Sequence, residues 1–481
     1  MRLNVVLRYI GMVLLFVAAF MLASACISLY FGRDSAFYPL LLSALLTMLL
    51  GAFPLLFVEK TEQINTKEGY CIVVGAWLVS CVVGMFPYLI WGGEFNLVNS
   101  WFESVSGFTT TGASILNNIE ALPHGLLFWR IASAWIGGIG VVMFALVILP
   151  SMGRNKLTLS SVELSAMAKD NYRYRSQIVV RILLVVYLGL TVMSTLSLRM
   201  AGMNWFDALT HGMSASATCG FSTKNASVAF FNSPIIEMIM MVTMATAGIH
   251  FGLIFATVSG KRNNVFRSEV ARTYVGIIVC TAVLIALSLR LANIYPSLTT
   301  AFRHATFQTV SLITTSGFAT ADTNTWTPFA VILLIFCSLV CACAGSTSGG
   351  LKIDRLLFAY KIVRNKIRLQ QHPNAVLRVR VDGMMQEDSV LDAVMIFIVI
   401  YMAIIFSGTL FTTLCGIDLT TAFTSAVSCT SNVGPGFGNV GSMSNYAQMP
   451  AAVKLCDTLM MLLGRLEIFG LIQLFFIKWW R

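Results

Sequence analysis

Long stretches without a charged side chain dominate the chain. Residues 9–32, 35–58, 69–93, 131–153, 238–260, 323–351 and 393–417 carry none. A helix needs about 20 mainly apolar residues to cross the hydrocarbon core of a bilayer, so each stretch predicts a spanning helix. Two shorter runs, 182–198 and 273–289, have arginines at both ends that can reach the interface. A tenth candidate, 450–477, is apolar but interrupted by Lys454, Asp457, Arg465 and Glu467. The pattern predicts ten spanning helices. Composition agrees, with 57% hydrophobic and 11% charged residues, where a soluble domain carries about 25% charge. A large soluble helical protein is a poor fit. The first run is long and is followed directly by a second span, so it does not read as a cleavable signal peptide.

Shorter, moderately apolar segments lie between the spans, and four of them turn at a glycine. They are Phe108-Thr109-Thr110-Thr111-Gly112-Ala113, Ala217-Thr218-Cys219-Gly220-Phe221, Ile313-Thr314-Thr315-Ser316-Gly317-Phe318 and Ser431-Asn432-Val433-Gly434-Pro435. The glycines are separated by 108, 97 and 117 residues. After two leading spans, 7–32 and 35–58, the chain therefore repeats one unit: span, short pore helix, glycine turn, span. The pore-helix segments are also alike, as in Asn99-Ser100-Trp101-Phe102-Glu103, Met203-Asn204-Trp205-Phe206-Asp207, Thr299-Thr300-Ala301-Phe302-Arg303 and Thr420-Thr421-Ala422-Phe423-Thr424. A phenylalanine 10 to 15 residues before each glycine is expected to mark one register. The competing explanation is chance likeness among apolar segments.

The net charge of +11 invites a nucleic-acid reading, but its placement argues against one. Of 32 lysines and arginines, 24 fall in the alternating segments 2–8, 60–67, 154–181, 261–272, 352–380 and 478–481. This is the positive-inside asymmetry of a multi-pass membrane protein. It places both termini in the cytoplasm and makes all four glycine turns enter from outside. The 11 cysteines lie mostly within apolar spans, form no CxxC pair and read as buried free thiols. Cys341 and Cys343 read as helical. The five histidines form no metal-binding spacing.

The chemistry follows from this geometry. A short helix that enters from outside and stops near the midplane aims its partly negative C-terminal end at a pore axis, which favours a cation. Extended backbone at that depth is tolerated where it lines a water-filled cavity or is buried in protein. Gly112, Gly220, Gly317 and Gly434 permit the backbone angles required, and Thr110, Thr111, Thr218 and Thr315 add hydroxyls beside the same carbonyls. No acidic ring appears, which favours a carbonyl filter over a carboxylate filter. Cys219 would act there through its carbonyl and not its sulfur.

These residues resemble the TrkH/KtrB/HKT superfamily of potassium transporters over essentially the whole chain, and the two leading spans suit its longer branch. The resemblance implies an all-α integral membrane fold of four fused span–pore helix–filter–span repeats around a central pore, plus two N-terminal transmembrane helices. The expected divisions are 1–60 for the leading helices and 61–155, 156–262, 263–370 and 371–481 for the repeats. The transported K+ would bind backbone carbonyls of Thr110, Thr111, Thr218, Cys219, Thr315, Ser316, Asn432 and Val433. Plant relatives with serine in the first turn carry sodium, so Gly112 implies potassium selectivity. The fourth turn, Asn432-Val433-Gly434-Pro435-Gly436, departs from the Thr-x-Gly form, which leaves open which of its carbonyls meet the ion.

In the third repeat, Gly345-Ser346-Thr347-Ser348-Gly349-Gly350 interrupts an apolar helix. Read from the residues alone, it is a helix break or a glycine-capped helix end. The resemblance implies an intramembrane loop that gates the pore. Arg465 is an expensive intramembrane charge. It either pairs with Glu467 or Asp457 or, as the resemblance implies, stands beside the pore near that loop. His250 stands where the family pattern gives asparagine and reads as a hydrogen-bonded interior histidine. The Trp135-Ile136-Gly137-Gly138-Ile139-Gly140 stretch follows the family pattern.

The resemblance also implies a homodimer in a bacterial inner membrane and a cytosolic TrkA-type ring that binds nucleotide and NAD. This chain has no P-loop and no strand-linked GxGxxG, so nucleotide would act only through that partner. The basic segments 154–181 and 352–380 could dock the ring, or could record membrane orientation alone. Membrane lipid is a partner and nucleic acid is not. A proton- or sodium-coupled symporter would use a midplane carboxylate, for which Asp457 and Glu467 are the candidates. A membrane enzyme lacks HExxH, GxSxG or paired carboxylates. A scaffold or sensor would leave the four glycines without a role.

Overall fold

The computed structural model describes residues 2–59, 65–148, 176–261, 264–375 and 377–468. Two long helices, α1 (Leu3–Tyr30) and α2 (Phe37–Phe57), precede the repeats and pack along each other. The first repeat is α3 (Thr66–Gly84), α4 (Phe86–Trp91), the pore helix α5 (Leu97–Phe108) and α6 (His124–Ile148). The second is α7 (Ser176–Met200), the pore helix α8 (Trp205–Ser216) and the broken pair α9 (Pro234–Ala247) and α10 (Phe251–Val258). The third is α11 (Glu269–Leu291), the pore helix α12 (Leu298–Ile313), α13 (Pro328–Val340) and α14 (Ile353–Gln371). The fourth is α15 (Asp388–Leu414), the pore helix α16 (Leu419–Ser431) and α17 (Ala451–Arg465). A two-residue hairpin, β1 (Arg380–Val381) with β2 (Met384–Met385), is a small exception to the expected all-α fold.

Each pore helix is delimited by local chemistry. At its start a short polar side chain accepts a hydrogen bond from a backbone N–H three residues on: Asn96 from Asn99, Asn204 from Asp207, Ser297 from Thr300 and Asp418 from Thr421. The Thr421 N–H holds the Asp418 carboxyl below the usual carboxylate range. At its end each helix closes with the same pair of backbone bonds. Thr110 donates to Gly107 and Thr111 to Ser106, and the equivalent donors are Thr218 and Cys219, Thr315 and Ser316, and Asn432 and Val433. This is a Schellman closure, and it demands a left-handed residue just past the helix.

Six helical spans among the described residues are long and apolar enough to cross a membrane: α1, α2, the α3–α4 pair, α7, α11 and α15. The α9–α10 pair makes a seventh if its 105° bend is counted as one span. The other three of the ten expected positions are filled by α6, α13 and α17. The run 238–260 was expected to be one helix, but the chain breaks at Gly248–His250. The run 323–351 yields only the 13 residues of α13, because Cys341 leaves the helix with φ 58°. Cys341 and Cys343 are therefore not helical, contrary to their sequence reading. The outward faces of α2, α7, α11 and α15 carry exposed Leu49, Phe53, Met193, Val279 and Phe406, as expected of surface in contact with lipid tails.

Repeats meet side to side. α6 packs on α8, α9 on α12 and α13 on α16, and α17 packs against α5 and so closes the circle. Trp101 Nε1 donates to Thr458 Oγ1 at 3.0 Å across that last junction.

Candidate ion filter and loop

The four glycine turns form a closed ring. A Cβ built on Gly112 would lie 1.7 Å from the Cys219 carbonyl oxygen, and one on Gly220 would lie 2.0 Å from that of Ser316. A Cβ on Gly317 would lie 2.3 Å from the Val433 oxygen, and one on Gly434 would lie 2.5 Å from that of Thr111. Each glycine thus abuts the carbonyl just before the glycine of the next repeat, and the fourth returns to the first. All four glycines have positive φ, from 73° to 101°. Only a residue without a Cβ meets both conditions.

Two residues before each glycine, Thr110, Thr218, Thr315 and Asn432 sit left-handed at φ 53° to 57°. A β-branched residue there is a genuine outlier, storing roughly 1–3 kcal/mol. The Schellman bonds hold it in place. Asn432, the departure in the fourth turn, occupies the position where asparagine tolerates this conformation best. Its Nδ2 also donates to Thr111 Oγ1 at 3.0 Å, tying the fourth turn to the first. The Gly434 carbonyl accepts from Tyr446 Oη at 3.0 Å.

The expected phenylalanine register is not what unites the pore helices. Phe102 is fully buried, while Phe302 and Phe423 are exposed, because their distances to the closing turn differ. The common position is a buried serine six residues before each glycine: Ser106, Ser214, Ser311 and Ser428. Ser106 and Ser311 each donate their hydroxyl to the carbonyl just after their own glycine, at 2.6 and 2.7 Å. Counting back from the glycines finds this serine directly in the sequence.

The Gly345–Gly350 segment lies against the same turns. Thr218 Oγ1 and Thr347 Oγ1 are 3.3 Å apart, and Gly349 N donates to Thr315 Oγ1 at 3.1 Å. A Cβ on Gly349 would lie 2.5 Å from the Ser431 carbonyl oxygen. The loop therefore touches turns two, three and four. Arg465 reaches it from α17, with Nη1 donating to Thr347 O at 2.8 Å and Nη2 to Gly137 O of α6 at 3.0 Å. It pairs with neither carboxylate named from the sequence. Glu467 instead meets Lys352 and Arg355, both at 2.6 Å, and Asp457 accepts from Ser425 Oγ. Arg465, Gly464 and Glu467 line a cavity of about 30 Å³ with the loop residues, room for a water or two.

His250 caps α10, its Nδ1 accepting from Gly252 N at 3.0 Å. Its ring fills the space beside Gly345, where a Cβ would lie 2.3 Å from Cδ2. Among the described residues Nε2 has no hydrogen-bond partner. Glu467→Gln removes the carboxylate that pairs with both Lys352 and the buried Arg355. Losing one partner of a buried pair costs about 3–5 kcal/mol, and this variant is expected to melt at a lower temperature in detergent than the parent. Of the basic segments, 154–175 lies outside the described residues, and Lys361 of α14 binds Glu269 at 2.6 Å.

Comparison with known proteins bears on the whole chain. The family model described as TrkH, cation transport protein, matches residues 41–479. The chain is 34% identical to the Trk system potassium uptake protein TrkH of Salmonella typhimurium and 33% identical to that of Escherichia coli K12, covering 100% of both partners in each case. The crystal structure of the potassium transporter TrkH from Vibrio parahaemolyticus superimposes with a TM-score of 0.89 at 31% identity, again over 100% of each chain.

Proposed function

Since this chain belongs to the TrkH family of cation transport proteins, we propose that it takes up potassium, and rubidium in its place, through a filter of backbone carbonyls gated by an intramembrane loop. The observation that carries the reading is the closed ring of four glycine-to-carbonyl contacts. In such a ring the carbonyls of Thr111, Cys219, Ser316 and Val433 replace the hydration shell of the ion, with those of Thr110, Thr218, Thr315 and Asn432 one step further along the path. The pore helices point their partly negative ends at the same place.

The Gly345–Gly350 loop and Arg465 control passage. The loop is bonded to filter threonines and to Arg465, so moving it breaks few bonds but unblocks the path. Passage is channel-like. Glu467 is engaged with two cations, which disfavours it as a travelling proton site. Asp457, buried beside Ser425, is the candidate if uptake is coupled.

The asymmetry of lysine and arginine supports a bacterial inner-membrane protein with both termini in the cytoplasm. The proposed assembly is a homodimer on a cytosolic nucleotide-binding TrkA-type ring, docked through the basic segments 154–181 and 352–380.

Rubidium uptake into proteoliposomes tests the reading. Uptake is expected that potassium competes for, that sodium does not, and that persists when the proton gradient is collapsed. No uptake with the partner ring present would sink the transport reading, and uptake lost with the gradient would favour coupling through Asp457.

A further inference from the structure

Behind the first two filter turns lies a buried cross-link unlike anything behind the other two. Glu103 stands nine residues before Gly112 on α5. Its carboxylate accepts from Ile115 N and Ser114 Oγ, both at 3.1 Å, just beyond the glycine. Arg130 of α6 binds it at 2.5 Å, and the two side chains are 2% and 0% exposed. The other end of the guanidinium leaves the first repeat. Nη1 donates to Ser222 O at 3.1 Å, two residues past Gly220, and the group lies 3.6 Å over the Phe221 ring.

Ser222 is held from its own repeat as well. His211, nine residues before Gly220, approaches Ser222 Oγ with Nε2 at 2.9 Å and Asp207 O with Nδ1 at 2.8 Å. A carbonyl only accepts, so Nδ1 carries the proton and Nε2 accepts the serine hydroxyl. The same register in the other repeats gives neutral Gln308 and Ser425. Gln308 reaches Ala321 O at 3.4 Å, and Ser425 turns toward Asp457 at 3.2 Å. Among the described residues, no other ion pair is so fully enclosed.

We propose that Glu103 and Arg130 are positioning residues that fix the spacing between the first and second filter turns and thereby set the preference for potassium over sodium. The inference rests on the carbonyl-filter reading above. Charge-assisted bonds are the strongest available to a backbone segment, and they sit at the junction where Gly112 approaches Cys219 O most closely. A loosened junction lets the carbonyls close on a smaller ion.

The test compares rubidium and sodium uptake in proteoliposomes for Arg130→Ala, Arg130→Lys, Glu103→Gln and the Glu103→Gln/Arg130→Gln double variant. Arg303→Ala breaks the Arg303–Glu237 pair, whose arginine is partly exposed and whose carboxylate is buried; among the described residues this pair touches no filter turn, and the variant serves as the control. Each single variant is expected to lower the rubidium-to-sodium ratio roughly tenfold while rubidium still passes. The double variant, a neutral pair able to hydrogen-bond, is expected to recover part of the ratio. Arg303→Ala is expected to keep it. A parental ratio in Arg130→Lys and Glu103→Gln overturns the inference, and these two decide if Arg130→Ala does not fold. A parent protein that passes no rubidium, or shows no preference, fails the filter reading instead.

Discussion

Gly112→Ser is expected to abolish the preference for potassium over sodium. The new Cβ would stand 1.7 Å from the Cys219 carbonyl oxygen, at a backbone φ of +80°. Backbone lies on both sides of the clash, so no flexible side chain can yield. Cys219 itself is anchored by its N–H to Ser214 O at 3.1 Å. The serine is therefore accommodated only by moving one filter turn away from the other. Since the four contacts close a circle, opening one alters the spacing of all the carbonyls. The expected loss is at least about tenfold in the ratio of potassium to sodium uptake, about 1.4 kcal/mol of discrimination. Alanine at the four glycines should grade the effect by how close the opposing oxygen lies, with Gly434→Ala at 2.5 Å the mildest. An unchanged ratio in Gly112→Ser, with normal expression, would mean that the first turn does not select.

How much of this was legible in the sequence depends on the distance over which each feature is determined. The four glycines, the short pore helices and their polar starts are local, and hydropathy with turn chemistry reveals them. The strained left-handed position was hidden, because Thr110, Thr218 and Thr315 are β-branched residues that no propensity would put there. It emerges only from the Schellman bonds. The phenylalanines misled because aromatic residues recur in any apolar segment, whereas the small buried serine six residues before each glycine keeps one distance to the turn, and in the first and third repeats its hydroxyl bonds the carbonyl just after the glycine.

Long-range partners were less legible still. Glu467 lies two residues from Arg465 in sequence, and a sequence reading naturally pairs them. The chain leaves α17 after Arg465, which sends the two side chains apart. Glu467 meets Lys352 and Arg355, more than 110 residues away. The cross-link from Glu103 through Arg130 to Ser222 spans two repeats, and no periodicity encodes it. Likewise the α9–α10 break at His250 matters because Phe251 N donates to Gly345 O at 3.1 Å. The second repeat bends where the third repeat's loop needs a partner.

That loop is the subject of the other large effect. Arg465→Ala is expected to raise rubidium uptake and weaken its control. The arginine contributes two things that alanine removes. It ties the loop to α6 by donating to Thr347 O at 2.8 Å and Gly137 O at 3.0 Å. It also holds a buried positive charge against that loop, which in the proposed pore would oppose a passing cation by an amount on the order of a few kcal/mol at the effective dielectric of such sites. Hydrogen bonds to a charged group contribute about 1.5–3 kcal/mol each, so the tether and the repulsion are of similar size. Arg465→Lys separates them. It keeps the charge but loses the fork that spans two carbonyls, so its uptake is expected to lie between those of the parent and Arg465→Ala. Thr347 also engages Thr218 and the Ser216 carbonyl, so the loop is loosened by the substitution and not set free. Uptake should therefore rise without reaching that of an unobstructed filter, and selectivity should stay at the parental value, because no ring contact is lost. Parental uptake in Arg465→Ala at normal expression would remove this residue from the gate, and a fall in selectivity would place it in the filter instead.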